Sequence, residues 1–212
     1  MVYENLTIYQ QISVIIFCVL SIYLGFLTIH LLSKAKKAEE ERKYYFLSIA
    51  FFSALYMVCR ILMVIDAIDE YPPLSPLYIY GSFFAVLGVV GLMFAVERYV
   101  YQKLKFLPTI CIFIFSLLII LIPGDLTTKL VTYWVIIGTA FAILIPILYL
   151  KVGFNSTGEI RKNSYYIAIG ILIFLVGNGI NAGVLTSAIE IFFILAPIAM
   201  MIGLVMLQIG LK

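Results

Sequence analysis

Chemistry needs polar side chains that can meet, and this sequence offers few. Its one histidine, His30, stands alone, and its three cysteines, Cys18, Cys59 and Cys111, share no Cys-x-x-Cys spacing. A lone histidine cannot build a metal site with scattered acids, and isolated cysteines in apolar runs read as small buried residues. No Gly-x-Ser-x-Gly, phosphate-binding loop or His-Glu-x-x-His occurs. The sequence therefore predicts no catalytic residue, no metal and no cofactor. What remains is a handful of polar residues set among apolar ones: Arg60, the pair Asn178 and Asn181, Glu190, and the pair Glu97-Arg98.

A charge inside a membrane span costs at least ~2.5–3.5 kcal/mol on insertion scales, so Arg60 needs a reason to be there. Asn178 and Asn181 are three apart in the run Gly177-Asn178-Gly179-Ile180-Asn181-Ala182-Gly183, which puts both on one helix face. One reading makes Arg60, Asn178, Asn181 and Glu190 the wall of an outward-facing ligand pocket. The plainer reading has Arg60 snorkelling to the outer surface or pairing with Asp66, while the glycines and asparagines cement helices together. Asp66, Asp69, Glu70 and Glu190 gather at the same edge, where they would suit a lipid-headgroup hydrolase or simply be solvated loop charges.

These residues must be positioned by long apolar elements. The chain has 212 residues, 64% hydrophobic and 12% charged, with mean hydropathy +1.14. A soluble domain carries ~25% charged residues, so the composition excludes one. A net charge of +3, scattered along the chain, argues against a nucleic-acid partner. A bilayer core needs roughly 20 helical residues, and seven apolar stretches fit, near 10–33, 44–65, 76–97, 106–123, 130–150, 164–185 and 191–211. Nothing alternates over ten residues as a membrane barrel strand would. The expected fold class is all-α: residues 1–212 as one transmembrane domain, a bundle of seven spanning helices in the cell membrane with the lipid bilayer as its main partner. Glu4 and the absence of Lys or Arg from residues 1–9 predict that the first stretch is a retained helix rather than a cleaved signal.

Charge sorting gives the orientation. Lys34, Lys36, Lys37, Arg42 and Lys43, then Arg98, Lys103 and Lys105, then Lys151, Arg161 and Lys162, and finally Lys212 fall on one side; Lys129 alone falls on the other. The positive-inside rule then predicts an outer N-terminus and a cytoplasmic C-terminus. Tyrosines agree: Tyr44, Tyr45, Tyr99, Tyr101, Tyr149, Tyr165 and Tyr166 sit at inner ends, and Tyr78, Tyr80, Tyr133 and Trp134 at outer ends. Asn5-Leu6-Thr7 is a glycosylation sequon on the predicted outer side.

Glu97-Arg98-Tyr99 closes the third stretch at its inner end. There the chain resembles the rhodopsin-like G-protein-coupled receptors, whose third helix ends in an acidic-Arg-Tyr triplet in the same topology. It departs from them elsewhere: Leu195-Ala196-Pro197-Ile198 stands where the last helix would carry Asn-Pro-x-x-Tyr, no Cys-Trp-x-Pro occurs in the sixth stretch, and no Cys opens the third. Microbial rhodopsins share the length and topology but need a Schiff-base lysine within the last helix, and here the last helix has none before Lys212. The basic first inner loop and Phe94-Ala95-Val96-Glu97-Arg98-Tyr99 also resemble the seven-helix N-terminal sensor regions of prokaryotic histidine kinases. That resemblance implies a receptor or sensor-like module, binding a small or lipid-like ligand from outside and signalling to a separate cytoplasmic partner through the Glu97 and Arg98 region.

Two alternatives stand beside it. Glu40-Glu41-Arg42-Lys43-Tyr44-Tyr45 and Glu159-Ile160-Arg161-Lys162-Asn163-Ser164-Tyr165-Tyr166 lead into the second and sixth stretches alike. Stretches one to three and five to seven would then be parallel repeats joined by the fourth, as in some small-solute transporters, although only Pro146 and Pro197 lie well inside a span here. The acids at the outer edge leave a membrane-embedded lipid-modifying enzyme as the third reading.

Overall fold

The computed structural model describes residues 6–68, 75–121, 137, 140–181 and 189–212. Among them it is all-α, without strands: α1 (Ile8–Lys37), α2 (Glu40–Ile68), α3 (Pro76–Tyr99), α4 (Leu107–Leu121), α5 (Leu144–Asn155), α6 (Gly158–Asn181) and α7 (Phe192–Gly210), with a 3-10 turn at Gln102–Leu104. Five of these helices, α1, α2, α3, α6 and α7, are long and apolar enough to cross a membrane. α4 and α5 are shorter. Between them, 122–136 with 138 and 139 lie outside the described residues, and so do Lys129, Tyr133 and Trp134; so also do Asn5, Asp69, Glu70 and Ala182-Gly183.

Several helices run past their apolar stretches at the basic ends. α1 continues to Lys37, with Lys34, Lys36 and Lys37 in its last turn, where cations suit the exposed carbonyls of a helix C-terminus. α2 starts at Glu40 rather than near 44, and α6 at Gly158 rather than near 164. Hydropathy marks where an apolar solvent ends; Glu, Lys and Arg are good helix formers and carry the helix on beyond it. α3 starts where its apolar stretch does, at Pro76: Ser75 is its N-cap, accepting from the Tyr78 backbone N–H at 3.1 Å, and Pro76 opens the helix without losing a bond.

The chain forms two compact units. One is Ser21–Ala142; the other joins the segment up to Leu20 to Ile143–Lys212. In the first, α2 packs on α3 through small residues. A Cβ added at Gly91 would lie 2.7 Å from the Ser48 carbonyl oxygen, and one at Gly88 would touch Phe52 at 3.4 Å. The Ser53 hydroxyl, fully buried, donates to the Leu24 carbonyl of α1 at 2.9 Å. Around these lie Leu27, Ile49, Phe52, Met93 and Val96.

In the second unit, α6 and α7 approach backbone to backbone. A Cβ at Gly170 would meet the Gly203 oxygen at 2.7 Å, one at Gly203 the Gly170 oxygen at 2.5 Å, one at Gly177 the Ala196 oxygen at 2.7 Å, and one at Gly210 the Asn163 oxygen at 2.8 Å. The four glycines sit seven apart on each helix, two turns, so they form one seam. α5 packs on α6 where Gly153 faces the Tyr165 ring.

The outward faces are as apolar as the inward ones. Along α1 the exposed residues include Ile8, Ile12, Ile15, Val19, Ile22, Phe26 and Ile29, and along α7 Leu195, Ile198, Ile202, Val205 and Ile209. Cys18 lies on the exposed side of α1, not in the interior as expected; Cys59 is buried and Cys111 half-buried. A thiol is apolar enough to join such an outer face.

The glycine seam predicts a sharp contrast between two glycines of the α6–α7 pair. Gly203→Leu must push apart two backbones and should lower stability by about 1–3 kcal/mol or more. Gly179→Leu, where nothing lies within 4 Å, should change it little. Denaturant unfolding of the two purified variants checks this; equal stabilities would mean that the helices are not held at that distance.

Candidate functional site

Arg60 is the largest fully buried side chain in the structure, 2% exposed, on the α2 face that meets α3. It does not snorkel. Its guanidinium donates through Nη2 to the Tyr56 hydroxyl, one turn back on the same helix, and its carbon Cζ lies 4.7 Å from the centre of the Tyr56 ring. Nη1 points to Met63 Sδ at 3.8 Å, and Cys59 Sγ approaches the same sulfur at 3.8 Å. The helical repeat produces this: Tyr56, Cys59, Arg60 and Met63 are spaced i, i+3, i+4, i+7 and share one face. Tyrosine serves twice, with a hydroxyl oxygen as acceptor and a π face for the cation.

The plain alternative, an Arg60–Asp66 pair, gives way to a different arrangement. Asp66 Oδ1 accepts from the Ser75 hydroxyl, which also caps α3, so this carboxylate ties the end of α2 to the start of α3. Tyr78, hydrogen-bonded to Ser82, lies within electrostatic reach of both Arg60 and Asp66. Arg60 thus anchors a polar cluster on α2 and α3, made of Tyr56, Arg60, Asp66, Ser75, Tyr78 and Ser82, all within the Ser21–Ala142 unit. A guanidinium held in this way offers a planar fork of donors suited to a carboxylate or phosphate.

The other expected ligand residues belong to the other unit. Asn178 and Asn181 are half-buried in the last turns of α6, and Glu190 is exposed in the turn before α7. Of the glycines around them, Gly177 packs against α7, while Gly179 faces open space.

The Glu97-Arg98 pair is split by the helix. Successive residues point ~100° apart, and here Arg98 faces out while Glu97 is 1% exposed. Glu97 Oε2 accepts from the Thr109 hydroxyl in the first turn of α4, and the Thr109 backbone N–H also faces the carboxylate. That N–H is one of those a helix start leaves unpaired, so Glu97 fixes α4 to the end of α3. Between them the chain turns through two left-handed residues, Lys105 (φ 51°) and Phe106 (φ 61°), and Phe106 stacks on Phe94 with centroids 5.5 Å apart. His30 is exposed, and among the described residues no group of three or more His, Cys, Asp or Glu side chains is placed to hold a metal ion.

The sequence holds a signal for Tyr56, the i−4 neighbour of Arg60, whose uncharged hydroxyl takes the place of an acidic partner. It holds none for Thr109: nothing local says that residues twelve apart will meet across a turn built without glycine. Compared with protein-family models, with curated proteins and with solved structures, the chain finds no match.

The cluster makes a signed prediction for stability. Tyr56→Phe takes an acceptor from a buried guanidinium and should cost about 1–3 kcal/mol. Arg60→Met, which removes the charge and keeps the length, should be near neutral or stabilising, and in the Tyr56→Phe background should recover most of the loss. A double-mutant cycle read by thermal unfolding checks this; additive effects would show that the two side chains do not interact.

Proposed function

We propose that the chain is a multi-pass membrane receptor or sensor-like module. In this reading seven helices span the cell membrane, with the N-terminus outside and the C-terminus in the cytoplasm. A small or lipid-like ligand carrying an acidic group binds from the outer side at the Arg60 cluster. Asn178, Asn181 and Glu190, in the other unit, are a second polar set. The signal passes to a cytoplasmic partner by way of the basic inner loops, with exposed Arg98 as the contact and Glu97 as the residue that holds its turn in place.

The observation that carries this reading is Arg60 itself. A buried ion pair or hydrogen-bonded ion does not favour stability over an apolar residue of similar size, so a cation in the interior of an apolar helix pair is better explained by use than by folding. The apolar outer faces, the five long apolar helices and the one-sided distribution of Lys and Arg support the membrane placement.

A transporter built from 3+1+3 helices is the second reading. It is favoured by the matching glycine-lined helix pairs α2–α3 and α6–α7, each entered through a basic-then-tyrosine segment.

Arg60→Met separates fold from function. In reconstituted protein, small carboxylates and phosphate esters such as glycerol phosphate should raise the melting temperature of the wild type. They should leave Arg60→Met unchanged, with affinity down about tenfold or more for loss of a charge-assisted pair. Equal responses in both would remove Arg60 from the site. Proteoliposomes that accumulate the same compounds would favour the transporter, since a sensor moves no solute.

A further inference from the structure

The inner end of the Ser21–Ala142 unit contains a cavity of about 770 Å³ to which the reading above assigns no ligand. Its wall is made by Glu40 and Tyr44 at the start of α2, Glu97, Arg98 and Tyr99 at the end of α3, and Gln102 and Phe106 in the turn that follows. Three of these seven residues are aromatic, and two are carboxylates against one guanidinium. Glu97 is the buried one, 1% exposed. Thr109 occupies its Oε2, whereas Oε1 has no hydrogen-bond partner among the described residues. The Tyr99 hydroxyl is likewise buried without one.

A buried carboxylate oxygen left without a donor costs free energy, on the order of 1–3 kcal/mol or more when charged. A cation with N–H or polarised C–H groups would satisfy both its charge and its free lone pairs. The nearest one in sequence, Arg98, is turned outward, with its guanidinium 5.8 Å from the Tyr99 ring centre at the rim. The rings are held rather than loose: Tyr99 meets Tyr45 edge-on at 5.8 Å, and Phe106 is stacked on Phe94. A carboxylate in a cavity lined by three aromatic side chains is the chemistry that recognises an organic ammonium, which gains from the ring quadrupoles as well as from the charge. An apolar groove of about 280 Å³ between α2 and α3 also has Tyr44 in its wall, and Leu47, Phe51, Val90 and Phe94 continue it. That groove would take an alkyl substituent.

We infer that this inner cavity binds an organic ammonium group, with Glu97 as its counter-ion and Tyr44, Tyr99 and Phe106 as its walls. The inference goes beyond the outer site: it requires no signal, no transport and no contribution from Arg60. The ammonium has two possible sources, a free amine in solution or the headgroup of a bilayer lipid, and the test separates them.

The probe is tetramethylammonium, with binding followed by saturation-transfer NMR on full-length protein in phosphatidylglycerol nanodiscs. Saturable binding is expected. Glu97→Gln, which keeps an oxygen for Thr109, should weaken it about tenfold or more, and Tyr44→Leu several-fold. Arg98→Gln should tighten it about twofold, because it removes a like charge from the rim. Repeating the titration in phosphatidylcholine nanodiscs separates the sources: a headgroup ligand competes and lowers the apparent affinity, whereas a site for free amines is unaffected. The inference is overturned if no saturable binding is seen, or if Glu97→Gln binds as the wild type does. It is overturned equally if Arg98→Gln weakens binding, since that sign belongs to an anion. Tyr44 and Arg98 are both exposed, so Tyr44→Leu and Arg98→Gln keep the test open even if Glu97→Gln does not fold.

Discussion

The structure depends on one constraint: its outer surface gives water no more purchase than its interior does. Ile, Leu, Val and Phe face outward along α1, α4 and α7 as regularly as they face inward. In a bilayer, which we propose as its solvent, helices gain no hydrophobic energy by associating, since lipid tails are as apolar as leucine. Cohesion must then come from dense contact. The seams at Gly170, Gly177, Gly203 and Gly210 and at Gly88 and Gly91 provide it by bringing backbones to within van der Waals distance. Several hydroxyl side chains are satisfied by backbone carbonyls. Thr28 and Ser53 both donate to the Leu24 carbonyl, Ser48 to Tyr44, and Ser116 to Phe113.

Against that background the polar groups that do more than this stand out. Arg60 has Tyr56 beneath it, Asp66 is tied to Ser75, and Glu97 is tied to Thr109. The first two lie toward the α2–α3 turn and the last at the opposite end of the same helix pair. One compact unit thus has a cationic centre toward one end and an anionic one at the other. Each is embedded in apolar helices, and in the readings we propose each takes a ligand of opposite sign.

Much of the fold was legible because hydropathy and helix caps are local. α3 starts at Pro76, where its apolar stretch begins, and α5 and α6 part at Ser156-Thr157, between the fifth and sixth stretches. The helix ends at Lys37, Glu40 and Gly158 ran past expectation, because apolar length measures the solvent boundary rather than the helix. The candidate sites were legible in part. Arg60 stood out by its cost, yet its partner Tyr56 is uncharged and so escaped a search for acids. Glu97 and Arg98 looked like one surface pair, and only packing against α4 could separate them. The inner cavity was hidden altogether, because the strained turn at Lys105 and Phe106 that shapes it carries neither glycine nor proline.

Both proposed sites take their meaning from which side of the membrane each end of the α2–α3 pair faces. A reporter fused after Lys212 decides this most directly. The proposed topology predicts that the fused reporter is active in the cytoplasm and closed to impermeant reagents in intact cells. A reporter after Lys212 that is labelled from outside would contradict it and invert the position of both sites.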